Sequence, residues 1–418
     1  MMSTYEPLLS PQIRYLINRG IKITNPTTVE IGPEVKLDAI SSEGVEIHGP
    51  VRISGESTSI GPGAKIGTEG PATIINCQLG AGVELGGGFF TSSVFLNQAR
   101  LGLGAHVREA CLIEEQAGGA HCVGLKHTIL FPFVTLGSLI NFCDCLMAGG
   151  TSRKNHSEVG SSFIHFNFTP NQDKATASLL GDVPRGVMLH EPPIFLGGQG
   201  GIVGPVRLGY GTVTKAGAIV RCDAPEGGNL LGNLPVGEAK KPYHQGLYLD
   251  LSRRIENNLI YLANILALLA WYRYVRKEFL TDRWGRALFE GALQALGRIV
   301  EERRYRLGEL AGKMETCRNL AARVLENPQR EILISQAKEF EEKWPLLEKV
   351  FTSGLEDELG RENRGLFLER LKTSKTGDYI STIKSLDLAT RSLGTRWLTE
   401  IVDGIRERAL HLIPTCRS

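Results

Sequence analysis

The chain has 418 residues, which is enough for two or three domains and a substantial core. Its formal net charge is only +2, which excludes the strong global charge that draws proteins to nucleic acid or acidic membranes. Aromatic residues make up 7% of the chain while glycine accounts for 49 positions. This balance favours a repetitive, tightly wound backbone over a globule with a large aromatic core. We expect no nucleic-acid partner.

The cysteines and the N-terminus both favour a cytoplasmic protein. The eight cysteines form no CxxC pair and are expected to be small buried apolar residues in a reducing compartment. The first residues lack the basic-then-apolar pattern of a signal peptide. One apolar stretch, Leu259 to Val275, is shorter than the roughly 20 residues that span a bilayer. We expect it to form a helix that is buried or faces partner subunits, and we predict no membrane span.

In chain order, the first predicted element is a short helix between Pro7 and Arg19, within an N-terminal cap over residues 1–20. A repeat follows, from Val29 to about Val220, in which an aliphatic residue and a glycine recur at six-residue spacing. This predicts a solenoid domain over residues 21–222. The clearest units start at Ile31, Ile60, Leu79, Leu101, Leu136 and Leu208.

The six-residue period has a simple physical reading. Each unit supplies one short flat strand and one corner, with the aliphatic side chain pointing inward onto its counterpart one coil away. The glycine permits corner geometry that a Cβ would penalise. A single coil cannot bury its apolar face, so stability comes from stacking many coils. A β-sandwich would instead place its strands at spacings of about 8–12 residues.

The rest of the chain follows different rules. Proline and glycine are frequent over residues 223–245, which predicts a linker. From residue 246 to 418 the apolar spacing changes to three and four residues, which predicts an α-helical domain of five to seven helices. The predicted helical segments are Leu247–Phe279, Arg286–Leu307, Met314–Leu325, Glu331–Leu347, Leu366–Lys372 and Leu386–Leu412.

The most informative segment runs from Asn141 to Asp182. It contains Asn-Phe-Cys-Asp from Asn141, Ser-Arg-Lys-Asn-His from Ser152, and Phe-Asn-Phe-Thr-Pro from Phe166; later coils begin at Phe195 and Lys215. This order resembles the acetyltransferase half of the bifunctional enzyme UDP-N-acetylglucosamine pyrophosphorylase / glucosamine-1-phosphate N-acetyltransferase, a family of hexapeptide-repeat acyltransferases. The resemblance spans roughly residues 8 to 223, and we expect no uridylyltransferase domain before it.

The resemblance implies a left-handed parallel β-helix, a homotrimer, acetyl-CoA as acyl donor, and a sugar phosphate or nucleotide sugar as the other substrate. It matches His156 to the family's general base, which takes a proton from the attacking amine. Asp144 falls where the family has a carboxylate that orients this histidine. The implied substrate-binding residues are Asn141, Arg153, Lys154, Asn167 and Lys174. The implied coenzyme A residues are Gly197, Gly198, Lys215, Ala216 and Arg221, joined by Lys240 and Lys241 near its phosphates.

The chain also departs from the family's pattern. Cys145 to Ala148 replace a basic pair, and Val159 replaces a tyrosine. Lost positive charge argues against glucosamine phosphate itself as the substrate, although Arg185 in an inserted segment is a possible replacement. A catalytically inactive sugar-nucleotide binder or assembly scaffold is therefore the alternative. A zinc site formed by His121, His127 and His156 lacks the expected spacing, so no metal is predicted.

Overall fold

The computed structural model describes residues 9–232 and 242–417. A short helix, α1 (Pro11–Asn18), opens the described chain; Ser10 caps it, with its Oγ accepting a hydrogen bond from the backbone N–H of Ile13 at 3.3 Å. The strands that follow are β1 (Lys22–Ile23), β2 (Val29–Ile31), β3 (Glu46–Ile47), β4 (Val51–Ser54), β5 (Ser59–Ile60), β6 (Lys65–Ile66), β7 (Ala72–Ile75), β8 (Gln78–Leu79), β9 (Glu84–Leu85), β10 (Gly88–Thr91), β11 (Val94–Phe95), β12 (Arg100–Leu101), β13 (Ala105–Val107), β14 (Leu112–Ile113), β15 (Gly118–Gly119), β16 (Val123–Leu130), β17 (Thr135–Leu136), β18 (Ile140–Met147), β19 (Gly150–Ser152), β20 (Asn155–His156), β21 (Glu158–Val159), β22 (Ile164–Phe166), β23 (Ser178–Leu180), β24 (Phe195–Leu196), β25 (Gly201–Val203), β26 (Arg207–Leu208), β27 (Val213–Thr214), β28 (Ile219–Val220) and β29 (Leu230–Leu231).

The strands form a parallel β-helix with three faces, as predicted. Face one contains β1, β3, β6, β9, β12, β15, β17, β21, β24, β27 and β29, in that order. Face two runs from β2 through β4, β7, β10 and β13 to β22, β25 and β28, and face three runs from β5 through β8, β11 and β14 to β23 and β26. The long strands β16 and β18 belong to both of these faces, because each pairs with face two through its first half and with face three through its second.

Stacked aliphatic side chains fill the interior of the β-helix. On face one, the register aligns Ile47, Ile66, Leu85 and Leu101 in successive coils, and each is at most 2% exposed. These residues occupy the inward positions that the six-residue period predicts. The predicted fold, a parallel β-helix followed by a helical region, is confirmed.

The corner between faces two and three is made by residues in the left-handed backbone region. Five of them stack in successive coils with φ between 46° and 58°, where side chains other than glycine are uncommon. Asparagine and aspartate tolerate this region best, so two of the five are well suited to it. The five corner residues are Asn76, Ser92, Ala110, His127 and Asp144.

Helices make up most of the C-terminal part. The helices after α1 are α2 (Val183–Gly186), inserted within the β-helix, and then α3 (Leu251–Tyr274), α4 (Arg283–Ala311), α5 (Met314–Val324), α6 (Gln329–Val350), α7 (Leu355–Glu358), α8 (Arg361–Ser374), α9 (Tyr379–Ser385) and α10 (Leu388–Leu412). Short 3-10 turns cover Pro26–Thr28, Leu37–Ala39, Arg276–Phe279 and Pro414–Cys416. The segment between the two parts includes β29, which continues face one; Lys240 and Lys241 lie outside the described residues.

The helical region covers face three. Helix α4 packs across β5, β8, β11 and β14, which belong to four successive coils, and α3 packs on β23. The side of α4 that meets these strands carries small and aliphatic residues at helical spacing, among them Gly291, Ala292 and Ala295. Small side chains let the helix lie close to the sheet. Faces one and two carry no comparable cover of long helices among residues 9–232 and 242–417.

Helix α3 is buried almost along its whole length. Nineteen of its residues, from Leu251 to Tyr272, are buried within this one copy of the chain, including three asparagines. Asn264 accepts a hydrogen bond from the N–H of Val183 at 2.9 Å and donates to the carbonyl of Ile260 at 2.9 Å. The apolar stretch is therefore a core helix, and no helix in the described parts of the chain is long and apolar enough to cross a membrane.

A buried ion cluster joins the end of α3 to the β-helix. Arg276 lies 3.1 Å from the carboxylate of Glu114 and also pairs with Glu115, while Tyr272 donates a hydrogen bond to Glu114 at 2.6 Å. The guanidinium of Arg276 also stacks on the ring of Tyr379, 3.5 Å from the ring centroid. Burial raises the pKa of the Glu114 carboxyl to about 7, because the nearby arginine only partly offsets the loss of water.

This raised pKa predicts a pH dependence that Glu114→Gln should remove. An unfolded glutamate titrates near pH 4.3, so the stabilising contribution of Glu114 is fully present below that pH and is lost as the pH rises through about 7. The loss is on the order of 3 kcal/mol. Urea unfolding at pH 5, 6.5 and 8 should show that the free energy of unfolding of Glu114→Gln rises relative to that of the wild type as the pH increases toward 8. Glu84→Gln, at a half-exposed site, serves as the control; parallel curves for Glu114→Gln and wild type would contradict the prediction.

Candidate functional site

His156 lies on a hairpin that leaves the β-helix at the corner between faces three and one. The hairpin consists of β19 and β20, which pair antiparallel with Gly150 opposite His156. Gly150 has φ of +95°, and a Cβ there would lie 2.5 Å from the Cα of His156. Glycine is therefore required for the close approach that places the histidine. The hairpin is anchored at its base by the N–H of Gly150, which donates to the carbonyl of Glu191 at 3.1 Å.

The backbone fixes how the imidazole of His156 presents its two nitrogens. Its Nδ1 lies 2.9 Å from the carbonyl oxygen of Arg153. Because a carbonyl only accepts, Nδ1 carries a proton, and in the neutral ring Nε2 then carries the lone pair. Nε2 lies 3.5 Å from the carboxylate of Glu158. The ring is half-buried, so Nε2 remains available to a proton-donating ligand.

Arg153, on the same hairpin, reaches along face one. Its guanidinium donates to the carbonyls of Gln116 and Phe133, at 2.9 and 3.1 Å, and to the hydroxyl of Thr135 at 2.9 Å. Beside it lies a groove of about 360 Å³, which we call the face-one groove. Thr135 is the register partner of Glu158, so the groove lies one coil away from the strand that follows His156. The groove is lined by Gln98, Arg100, Gln116, Gly118, Thr135 and Arg153, among others.

Asp144 belongs to a different, buried cluster. Its carboxylate lies 3.2 Å from Nδ1 of His127 and 2.8 Å from the guanidinium of Arg303, which extends from α4. Asn167 donates to its second oxygen at 3.0 Å. Asp144 is 3% exposed and Arg303 is 1% exposed. Burial alone would raise the pKa of the Asp144 carboxyl, but Arg303, together with His127 and Asn167, holds that pKa well below its usual range.

The structure does not bring Asp144 to His156. Strand β18 continues from Asp144 through Met147 before the chain turns into the hairpin, which separates the two positions by roughly 10 Å of strand. Asp144 lies at the corner between faces two and three, and His156 at the corner between three and one. The expected orientation of His156 by Asp144 is therefore absent. The carbonyl of Arg153 takes that role, and Asp144 instead anchors α4.

The remaining residues predicted to bind substrate are spread over several places. Asn167 is committed to Asp144, and the carbonyl of Lys174 accepts a hydrogen bond from Arg303 at 2.9 Å. Lys154 shares the hairpin with His156, whereas Asn141 lies on face two, where its amide oxygen accepts from the thiol of Cys143 at 3.6 Å. The loop containing Asn167 and Lys174 is held down by the helical region through Lys313, Arg303 and Tyr248.

Four of the predicted coenzyme A residues, Gly197, Gly198, Lys215 and Ala216, lie at the corner between faces one and two, whereas Arg221 follows β28 at the end of face two. A Cβ at Gly197 would lie 2.5 Å from the backbone of Ala216, and one at Gly198 would lie 2.8 Å from the carbonyl of Ser161. The coils therefore stack with bare backbone at this corner. Lys215 and Arg221 are exposed on the next coil, where Arg221 contacts the carbonyl of Ile219 at 3.4 Å.

The three histidines considered for zinc lie in separate surroundings. His121 contacts the hydroxyl of Ser138 at 2.9 Å, His127 contacts Asp144, and His156 contacts Arg153. Within the residues that the structure describes, no group of three or more histidine, cysteine, aspartate or glutamate side chains is placed to hold a metal ion.

Arg303 and His127 are the residues that the sequence did not identify as partners of Asp144. One signal was available for Arg303: the predicted helix from Arg286 to Leu307 places this arginine in line with its aliphatic stripe. A charged residue on an apolar helical face requires a buried partner of opposite charge. The sequence does not say which carboxylate supplies it.

Comparison with known proteins agrees with this fold and with the resemblance predicted from the sequence. The chain is similar to the "Bifunctional protein GlmU" of Thermotoga petrophila, at 24% identity over 243 residues, which is 58% of this chain and 47% of that protein. It is 25% identical over 225 residues to the protein of the same name from Thermoanaerobacter pseudethanolicus, covering 53% and 43% of the two chains. The chain spans about half the length of these curated relatives. No family model matches it.

Proposed function

We propose that this protein is an N-acyltransferase that uses an acyl-CoA, most simply acetyl-CoA, and an amino-sugar phosphate or sugar nucleotide as acceptor, with His156 as general base. The observation that carries the proposal is the orientation of His156. The carbonyl of Arg153 holds the proton on Nδ1 and leaves the lone pair on Nε2, and the side chain of the same Arg153 lines the face-one groove. Similarity to the GlmU proteins supports the same class of reaction.

In the proposed reaction, the acceptor amine attacks the thioester carbonyl while Nε2 of His156 takes the proton that the nitrogen loses. A C–N bond forms, the C–S bond breaks, and the imidazolium returns the proton to the departing CoA thiolate. Glu158, 3.5 Å from Nε2, stabilises the imidazolium between these two transfers. No oxidant or metal is needed for this balance.

The face-one groove supplies binding for the acceptor's anionic group. Arg100 lies at its edge and Arg153 within it, and guanidinium groups match phosphate oxygens in charge and geometry. The donor would lie along the glycine corner formed by Gly197 and Gly198, with Lys215 and Arg221 near its phosphates. We place the protein in the cytoplasm as a homotrimer, with subunits meeting through faces one or two because the helices cover face three.

A second candidate is a non-catalytic sugar-nucleotide binder or assembly scaffold. One observation favours it: the carboxylate that the resemblance assigns to catalysis is sealed beneath α4 by Arg303. In this alternative, the position that the resemblance assigns to the catalytic carboxylate is a packing interface with the helical region. The face-one groove then binds a ligand without catalysing a reaction.

Two measurements on the wild-type chain separate the candidates. Coenzyme A at about 100 times its dissociation constant should stabilise a transferase by about 2.7 kcal/mol in thermal unfolding. A thiol-release assay with acetyl-CoA should then detect turnover with an amino-sugar phosphate. No stabilisation by coenzyme A would refute the transferase. Stabilisation by a UDP-sugar alone, with no thiol release, would favour the scaffold.

Arg100→Ala provides a prediction for the acceptor subsite. The side chain is mostly exposed and lies 3.7 Å from Glu84, so its removal should leave the fold unchanged. We expect KM for a phosphorylated acceptor to rise about tenfold, because the variant loses one charged hydrogen bond to the phosphate, while kcat stays unchanged. Arg52→Ala, an equally exposed strand arginine on face two, is the matched control. Equal KM values for the two variants would place the acceptor elsewhere.

A further inference from the structure

A second polar cleft lies where α4 crosses the corner between faces two and three, at a different side of the β-helix from the face-one groove and with no lining residue in common. It has a volume of about 400 Å³, within the range of small-molecule sites. The solenoid wall is formed by Asn76, Gln78 and Ser92, and the helix wall by Gln294 and Arg298. We call this space the α4 cleft.

The hydrogen-bonding groups of the α4 cleft are only partly used. Gln78 is 7% exposed; its amide N–H donates to the carbonyl of Ser57 at 2.7 Å, but its Oε1 has no partner among the described residues. Asn76 uses its oxygen to accept from the N–H and hydroxyl of Ser57, at 3.3 and 3.0 Å, which leaves its amide N–H group free. Gln78 is buried and Asn76 is half-buried, so hydrogen-bonding groups of both side chains are available to a ligand in the cleft.

The helix side of the cleft adds a charge without a counter-ion. Arg298 and Gln294 are exposed, and within residues 9–232 and 242–417 neither the guanidinium nor the amide has a protein hydrogen-bond or ion-pair partner. At the rim, Lys36 and Glu56 pair with each other at 3.1 Å and so cancel. The cleft therefore has one net positive charge, surrounded by amide and hydroxyl groups.

These features define the chemistry of the ligand. Arg298 is suited to pair with one anionic group, and the amides and the hydroxyl of Ser92 match neighbouring hydroxyl groups. Among the residues described around the cleft there is no aromatic side chain on which a nucleobase would stack. From this geometry we infer that the α4 cleft binds a small polyhydroxylated anion, a sugar carrying one phosphate or carboxylate, at a site separate from the face-one groove.

Isothermal titration of the full chain with glucose 6-phosphate, glucuronate, glucose and inorganic phosphate tests this inference. We expect at least one anionic sugar to bind at least about tenfold more tightly than glucose and more tightly than phosphate, because both the charge and the hydroxyl groups are recognised. Failure of both anionic sugars to bind, or phosphate binding as tightly as either, would overturn it.

Variants locate the binding. Arg298→Gln and Gln294→Glu should each weaken the anionic sugar about tenfold or more, by removing the cation or adding a repulsive carboxylate. Both side chains are exposed and make no contact that the fold requires, so circular dichroism should be unchanged. Arg286→Gln, on an exposed part of the same helix, and His156→Ala should bind as the wild type does. Wild-type affinity in Arg298→Gln would refute the site, whatever the outcome for acyl transfer.

Discussion

Replacing Arg303 with methionine is expected to lower the free energy of unfolding by about 3–5 kcal/mol, the cost of leaving one partner of a buried ion pair alone. The guanidinium is 1% exposed, lies 2.8 Å from the Asp144 carboxylate, and donates to the carbonyl of Lys174 at 2.9 Å. Methionine fills a similar volume, but it cannot pair with the Asp144 carboxylate or donate a hydrogen bond to the Lys174 carbonyl. Urea unfolding at pH 7 measures the loss.

Two further variants identify the cause of that loss. Arg304→Met, at the next position, breaks a partly exposed pair with Glu348 and should cost no more than about 1 kcal/mol. Adding Asp144→Asn to Arg303→Met should recover part of the stability, because the unpaired buried charge is then gone. Equal losses for Arg303→Met and Arg304→Met, or no recovery in the double variant, would contradict the buried pair.

The same pair predicts the acid limb of the stability curve. The folded pKa of Asp144 lies below that of an unfolded aspartate, about 3.9. Its contribution is therefore present above about pH 4 and is lost as the pH falls further, toward the folded pKa. In Arg303→Met, burial acts without the arginine, so this part of the acid limb should flatten.

His156→Ala is expected to lower kcat about 100- to 10,000-fold, the usual contribution of a general base. Alanine removes Nε2 while leaving the hairpin anchored by Arg153 and Gly150. The thiol-release assay measures the effect. Stabilisation by coenzyme A should not change.

His121→Ala is the matched control for this prediction, since it removes an exposed histidine whose Nδ1 contacts only Ser138. It should retain full kcat. Unreduced activity in His156→Ala would exclude this residue as the base and leave the reaction without an assigned proton acceptor.

The repeat could be predicted from the sequence because its information is local. Many inward residues, such as Ile66 and Leu85, are followed directly by a glycine, and six residues suffice to specify a strand and a corner. The long helices were predicted for the same reason. Helices α7 and α9 are too short to show a period, so the pattern did not separate them from the connecting segments.

The site was harder to predict because it depends on which corner each residue occupies. The motifs containing Asp144 and His156 follow each other along the chain, but β18 crosses from face two to face three and places them at different corners. The order of residues does not encode that crossing. Arg303, which neutralises Asp144, comes from a helix with no counterpart in the resemblance.

The position of α4 across four coils also bears on how the molecule opens. In a bare solenoid each coil touches only its neighbours, so end coils fray one at a time. Here β5, β8, β11 and β14 share one continuous helix, and releasing any of them disturbs packing with the others. Amide protons in these coils should therefore exchange with solvent as a single cooperative unit, while those of β27 and β28, beyond this span, exchange earlier.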